Sequence, residues 1–283
     1  MKAEEQARAD IVEVGRRLWQ RGYVASNDGN ISVRLDDNRL VSTPKNVSKG
    51  FMTPDMMVIT DLDGRKIAGE RDPSSELKMH LEVYRNRADA RAVVHAHPPT
   101  ATGFAVAGIA LDRAVLAEVI TTLGSIPIAE YATPSTEELP AAVRKYVKAH
   151  DGLLLANHGA LALAPDVMSA YYRMETIEHF AKISLVARTL GREQLLSREE
   201  VERLQGLRGM YGIASPAPIC TDDAVQITGG QLECQVVQAP DSIERLVVQK
   251  LAAPRDSGDG TDEIRLTYRE LTALIEDAIK AIK

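Results

Sequence analysis

Residues 152–164 read Gly152-Leu153-Leu154-Leu155-Ala156-Asn157-His158-Gly159-Ala160-Leu161-Ala162-Leu163-Ala164, two apolar runs joined by an Asn-His-Gly turn. Short apolar runs bounded by turn residues are the mark of strands buried in a sheet. The turn sets a histidine at a strand end, and Gly159 lets the backbone come close there. Upstream, Arg91-Ala92-Val93-Val94-His95-Ala96-His97 predicts another buried strand, stopped by Pro98-Pro99.

Helical patterns surround these strands. Pro73-Ser74-Ser75-Glu76 opens a helix that Ser74 or Ser75 can cap, with Leu77, Leu81 and Tyr84 on one face. A helix is predicted over 136–149, and Asp166 is placed as the cap of a long one ending at Gly191. Another covers 198–208, opened by Ser197. At the start of the chain, Ala7, Ile11, Val14, Leu18 and Trp19 recur at helical spacing over 3–21, with Gly22 as the stop. Short antiparallel strands follow over 31–35, 39–42 and 57–60. The pattern predicts a mixed α/β layered domain, 1–212, and an extension, 213–283. Within the extension, 215–223 is linker-like, 254–263 is polar, 232–237 suits a strand and 267–282 an amphipathic helix.

Of 283 residues, 45% are hydrophobic and 26% charged, enough for one large core. The formal charge of −6 speaks against general nucleic-acid binding, although a local basic pocket for one phosphate remains allowed. Cys220 and Cys234 lack metal-ligand spacing and are read as free thiols of a reducing compartment. The first residues, MKAEEQARAD, are charged, and no apolar run is long enough to span a bilayer. The expectation is a cytoplasmic protein with no membrane partner.

Three features carry chemistry. His95 and His97, two apart on a strand, share a face and can reach one metal ion, and His158 can supply a third ligand. A strand-end pair and a turn histidine bonded to backbone are the ordinary alternatives. His80, His150 and His179 are assigned to packing or surface roles. Second, the hydroxyls and free N–H groups of Ser74-Ser75 form an anion site beside the Glu76 carboxylate, or else a plain helix cap. Third, Asn27-Asp28-Gly29-Asn30 and Thr43-Pro44-Lys45 suit a backbone nest for phosphate, and equally suit hairpin turns.

Taken in order, SNDGNISVR (26–34), STP (42–44), PSSELKMH (73–80), AVVHAHPP (92–99), IAEYATPSTEEL (128–139) and LLLANHGALAL (153–163) resemble the class II aldolase/adducin family over about residues 5–212. The resemblance implies a three-layer α/β/α fold with a central, mainly antiparallel sheet. It implies Zn2+, one per subunit, on His95, His97 and His158, with Mn2+ or Co2+ as alternatives, and Glu76 as the acid/base. It places a substrate phosphate among Asn27, Asn30, Lys45, Ser74 and Ser75, in a homotetramer. The implied activity is retro-aldol cleavage of a ketose 1-phosphate, such as L-fuculose 1-phosphate, through a metal-stabilised enediolate. Dihydroxyacetone phosphate and an aldehyde are the products. Decarboxylation of a 3-oxo acid or its phosphate, and 4-epimerase or dehydratase chemistry on a sugar phosphate, are the alternatives on this fold. Adducin heads, which are non-catalytic, lack the full zinc set that stands here.

The sequence also departs from the family pattern. Lys45-Asn46 replaces small residues after Thr-Pro, and a family tyrosine is unmatched in Ala114-Val115-Leu116-Ala117-Glu118. Glu118 is a candidate second proton donor from a neighbouring subunit, or an interface carboxylate. Tyr131 matches a family position near the site. The extension has no counterpart in the short family aldolases.

Overall fold

The computed structural model describes residues 3–211 and 213. Its elements in chain order begin with α1 (Ala3–Gln20), β1 (Asn30–Arg34), β2 (Leu40–Ser42), β3 (Val58–Thr60), β4 (Lys66–Ala68) and α2 (Leu77–Asn86). Next come β5 (Ala92–Ala96), α3 (Pro99–Val106), α4 (Ala117–Thr122), β6 (Ile128–Ala129) and α5 (Glu138–Val147). The chain continues through β7 (Gly152–Leu155), β8 (Gly159–Ala164), α6 (Val167–Thr189) and α7 (Arg198–Leu207). The strands form one eight-stranded sheet in the order β4-β3-β2-β1-β5-β8-β7-β6. Every pairing is antiparallel except β6 with β7. The three-layer, mainly antiparallel architecture is therefore as the family resemblance implied.

Alternation along the central strands separates the two cores. In β8, Ala160, Ala162 and Ala164 face a layer built from α1, α3 and α6, whereas Leu161 and Leu163 face α2 and α5. Successive side chains of a strand point to opposite faces, so one six-residue strand serves both layers. Small residues toward α6 leave room for that long helix to lie close to the sheet. A third, smaller cluster packs Ala114 and Ile120 against Val201 of α7.

Local signals set the helix starts. The Asp166 side chain accepts from Ser169 N at 2.8 Å, and Ser197 with Glu200 forms a capping box. One expectation is corrected. Neither Ser74 nor Ser75 caps α2, which starts at Leu77 after Glu76 without a side-chain cap bond. The Ser74 hydroxyl instead accepts from Glu76 N at 3.3 Å. Pro98-Pro99 ends β5 but also opens α3, because proline at the first helical position gives up no hydrogen bond. The expected strand 232–237, the helix 267–282 and both cysteines lie outside the described residues. No helix among those described is long and apolar enough to cross a membrane.

Candidate metal centre and active site

The sheet's central pair of strands sets the site. Asn30 of β1 is register partner to His95 of β5, so both project on the α2 face. His97 follows immediately after β5, its N–H bonded to Tyr23 O at 2.9 Å. His158 stands in the β7–β8 turn, where Asn157 takes a left-handed φ of 56°. A Cβ on Gly159 would lie 2.6 Å from Ala96 O and 2.6 Å from the His97 ring. Only glycine lets this turn sit on the two strand histidines.

The three imidazoles converge with ring centroids 4.8–5.1 Å apart. Their ligand atoms fall within 4.8 Å of one another, a group that can hold a metal ion. Hydrogen bonding on the far sides of the rings fixes their orientation. His95 Nδ1 meets Ala160 O at 2.9 Å, so this nitrogen carries the proton and Nε2 is left with its lone pair. His97 Nδ1 lies 3.4 Å from Asp28 Oδ2, which favours the same tautomer. The Nε2 atoms of His95 and His97 then face each other at 3.1 Å. Two lone pairs at that distance repel unless a cation lies between them, and the donor set therefore fits a divalent metal. Nδ1 of His158 is buried without a partner. Burial, reinforced by His158, pushes His95 and His97 below the ordinary imidazole value despite the nearby carboxylates, which favours the neutral, ligating form.

Glu76 closes the cluster. One carboxylate oxygen is 3.1 Å from His158 Nε2, and the other is 3.4 Å from His95 Nε2. Asn30 Nδ2 donates to Glu76 Oε2 at 2.8 Å. Burial alone would raise this carboxyl. Its interactions with His95, His158 and the Asn30 amide outweigh that and hold the group well below the carboxylate range, ionised.

The anion-site segments are brought together by backbone. Lys45 N donates to Asp72 O at 3.1 Å and Ser74 N to Thr43 O at 3.2 Å, while Thr43 N reaches Ile31 O at 2.9 Å. A Cβ on Gly29, which has a φ of +73°, would come 2.8 Å from His95 O. The turn therefore packs directly on the histidine strand. Of the residues expected at a phosphate, Asn27, Lys45 and Ser75 are exposed and Ser74 is half-buried. Asn30 is buried, with its N–H group engaged by Glu76. Glu118 on α4 and Tyr131 after β6 are exposed, and neither hydrogen-bonds to Glu76 or the three histidines.

His80 is buried, with Nδ1 2.7 Å from Ser32 Oγ, and burial pushes it down to about 4, which suits the packing role read from the sequence. His150 is buried against Ser125 O at 3.1 Å. Three contributors escaped the sequence reading. Asp28 was inside a flagged turn, but its bearing on His97 is a product of folding. The Glu178 carboxylate accepts from Thr100 N and Ala101 N at 3.1 and 2.8 Å, anchoring α3 directly behind the histidines. Lys49 is buried, which nothing in its local sequence announces.

The chain is thus a three-layer α/β/α domain carrying a tri-histidine cluster that can hold a metal ion, with the Glu76 carboxylate beside it. More specifically, the chain belongs to the family described as Class II Aldolase and Adducin N-terminal domain, whose model matches residues 9–185. It is 34% identical over 210 residues to 5-deoxy-D-ribulose 1-phosphate aldolase of Bacillus thuringiensis serovar kurstaki, covering 74% of this chain and 98% of that protein. It is 30% identical over 190 residues to 3-oxo-tetronate 4-phosphate decarboxylase of Pectobacterium atrosepticum, covering 66% of this chain and 87% of the relative. A solved L-fuculose 1-phosphate aldolase superposes with a TM-score of 0.67 at 32% identity, covering 71% of this chain and 95% of that one.

Proposed function

We propose that the protein is a zinc-dependent aldolase that cleaves a ketose 1-phosphate to dihydroxyacetone phosphate and an aldehyde. The observation that carries this reading is Glu76, an ionised carboxylate held by Asn30 at 2.8 Å and set 3.1 Å from His158 within the tri-histidine cluster. His95, His97 and His158 would hold the metal, with Asp28 and Ala160 O fixing two of the rings. The metal would supply Lewis acidity, stabilising negative charge that develops on substrate oxygens.

The remaining steps fall to this chain's residues. In cleavage, the C4 hydroxyl loses its proton, the C3–C4 bond breaks, and its electron pair stays with C3. Glu76, ionised at rest, takes up a proton from solvent, replacing the one released from the C4 hydroxyl, and delivers it to C3; in synthesis the ionised form removes it. Asn30 keeps the carboxylate aimed. We assign the C4 hydroxyl proton to Tyr131 or Glu118, at the exposed rim or from a neighbouring subunit of a homotetramer. Asn27, Lys45, Ser74 and Ser75 are assigned to the phosphate. Catalysis is placed in 1–212, in the cytoplasm.

The relation to 3-oxo-tetronate 4-phosphate decarboxylase favours a second reading, loss of CO2 from a 3-oxo acid 4-phosphate. The same cluster serves it, because both reactions leave an electron pair on a carbon next to a carbonyl. One experiment separates them. The zinc-supplemented enzyme is given L-fuculose 1-phosphate, L-rhamnulose 1-phosphate and D-ribulose 1-phosphate in a coupled assay for dihydroxyacetone phosphate. In parallel, CO2 is measured from 3-oxo-tetronate 4-phosphate. Triose phosphate from any ketose supports the aldolase; CO2 alone replaces it with the decarboxylase.

A further inference from the structure

Trp19, Ser26, Asn27, Asn46, Ser48 and Phe51 line an open cleft of about 620 Å3, and Asn27 of this lining directly precedes Asp28, which reaches His97. Loops 25–29 and 43–49 supply its polar wall. Ser26 and Asn46 hold left-handed φ of 49° and 59°. Asparagine enters this region readily in turns, whereas serine does so less often and is held there by its surroundings. The other wall is aromatic: Trp19 and Phe51 meet edge to face with centroids 5.2 Å apart.

Lys49 lies between the two loops and is only 2% exposed. Its ammonium donates to Asn27 O at 3.0 Å and Val47 O at 2.7 Å, using two of its three N–H bonds. Among the described residues no carboxylate comes within 4.0 Å of it. Asp28 and Glu76 are the acids whose charges reach it, and both are already engaged with histidines. Burial lowers the ammonium to about 8 against those two charges, so it is still mainly protonated at neutral pH. A buried cation without a counter-ion is costly, on the order of several kcal/mol, until an anion arrives. The exposed Lys45 carries no such cost.

We propose that Lys49 is the charge-matching residue for the substrate's phosphate, whose site among Asn27, Lys45, Ser74 and Ser75 extends from Asn27 into the cleft lined by Asn46 and Ser48. A phosphate monoester suits the lining, where two carboxamides and two serine hydroxyls can donate to its oxygens. This inference deepens the phosphorylated-substrate reading above and rests on it. It makes phosphate selectivity depend on a residue that touches neither the histidines nor the reacting carbons.

The protein contains a built-in reporter. Trp19 is the chain's one tryptophan, and its indole packs so closely on Gly50 that a Cβ there would lie 2.5 Å away. Zinc-supplemented full-length enzyme is titrated with inorganic phosphate at pH 7 and constant ionic strength, following Trp19 fluorescence, with acetate as the control anion. A saturable response to phosphate is expected. Lys49 is not itself among the residues lining the cleft, so its charge acts across the loop it holds. Lys49→Met should move the midpoint upward roughly tenfold, the Coulomb scale of one solvent-screened charge a few ångströms away near a protein surface. Lys49→Arg should stay within about threefold because it keeps the charge, and Lys182→Met on α6 should match the wild type. If Lys49→Met does not fold, Lys49→Gln, which keeps a donor without the charge, takes its place with the same expected shift. No saturable response in the wild type, or charge-free Lys49 variants that titrate like it, would overturn the proposal. Because this readout needs no turnover, a Lys49-dependent response with no triose phosphate formed would sink the aldolase reading and leave Lys49 standing.

Discussion

Two buried polar clusters flank α2, and they are built on opposite principles. Past its C-terminal end, Asp151 is shared by Arg87 at 2.8 Å and Arg173 at 3.1 Å, and Arg87 also pairs with Asp89 at 2.7 Å. Arg87 further reaches Val147 O at 3.0 Å. Each of these charges has a counter-charge, and Arg87 is raised above its ordinary value because Asp89 and Asp151 outweigh its burial. At the N-terminal end the account does not close. His158 Nδ1 and Asn30 Oδ1 are buried without partners, two imidazole lone pairs face each other, and among the described residues no carboxylate lies within 4.0 Å of Lys49. A satisfied network rigidifies a fold, and a half-satisfied one is costly unless something else completes it. The closed cluster is architecture; the open one is shaped for a metal and an anion.

That contrast predicts where mutations act. Glu76→Gln should lower turnover roughly 10²–10⁴-fold while zinc content and urea midpoint stay as in the wild type. Unchanged turnover would move the proton-transfer role to another group. Asp151→Ala should do the reverse. It leaves Arg173 without its counter-charge and Arg87 with Asp89 alone, and should cost about 3 kcal/mol of stability, read from urea unfolding, with kcat of the folded enzyme preserved. A loss below about 1 kcal/mol would mean that the closed cluster is decorative.

The open cluster was the more legible of the two in the sequence. His95-x-His97 and the His158 turn are set by strand period and a short hairpin, which are local, and Glu76 lies one residue before α2. The sheet followed for the same reason, since apolar runs over 152–164 and 91–97 admit few other fates. Partnerships between distant loops were not legible. That Asn30 also reaches Glu76 follows from the β1–β5 register, and Lys49 is buried only because loops 25–29 and 43–49 close over it. Elements with too few residues to show a period, such as β4 and the two-residue β6, left no pattern to read. Nor did Pro98-Pro99 distinguish a strand end from a helix start.

Smaller effects sharpen the comparison. His80 and His150 are both buried and pushed down to about 4 by burial. Their folded values lie below the unfolded value of about 6.5. The stability they contribute is therefore full above pH 6.5 and is lost as pH falls toward 4, roughly 3 kcal/mol for each at most. Urea midpoints should fall across that window, and His150→Gln should flatten the slope; a profile level from pH 7 to 4.5 would contradict both burials. Ser197→Ala, in neither cluster, should cost only about 1 kcal/mol through the lost capping box on α7. Metal content should not change, which sets the baseline for a purely local substitution.

The most direct test of the open cluster is the metal content of the purified full-length protein and of His95→Ala and His158→Ala, each dialysed after zinc loading. The account predicts close to one zinc per chain in the wild type and almost none in either variant, with folding retained. Equal zinc in all three proteins, or none in the wild type, would contradict the assignment of these histidines to a metal.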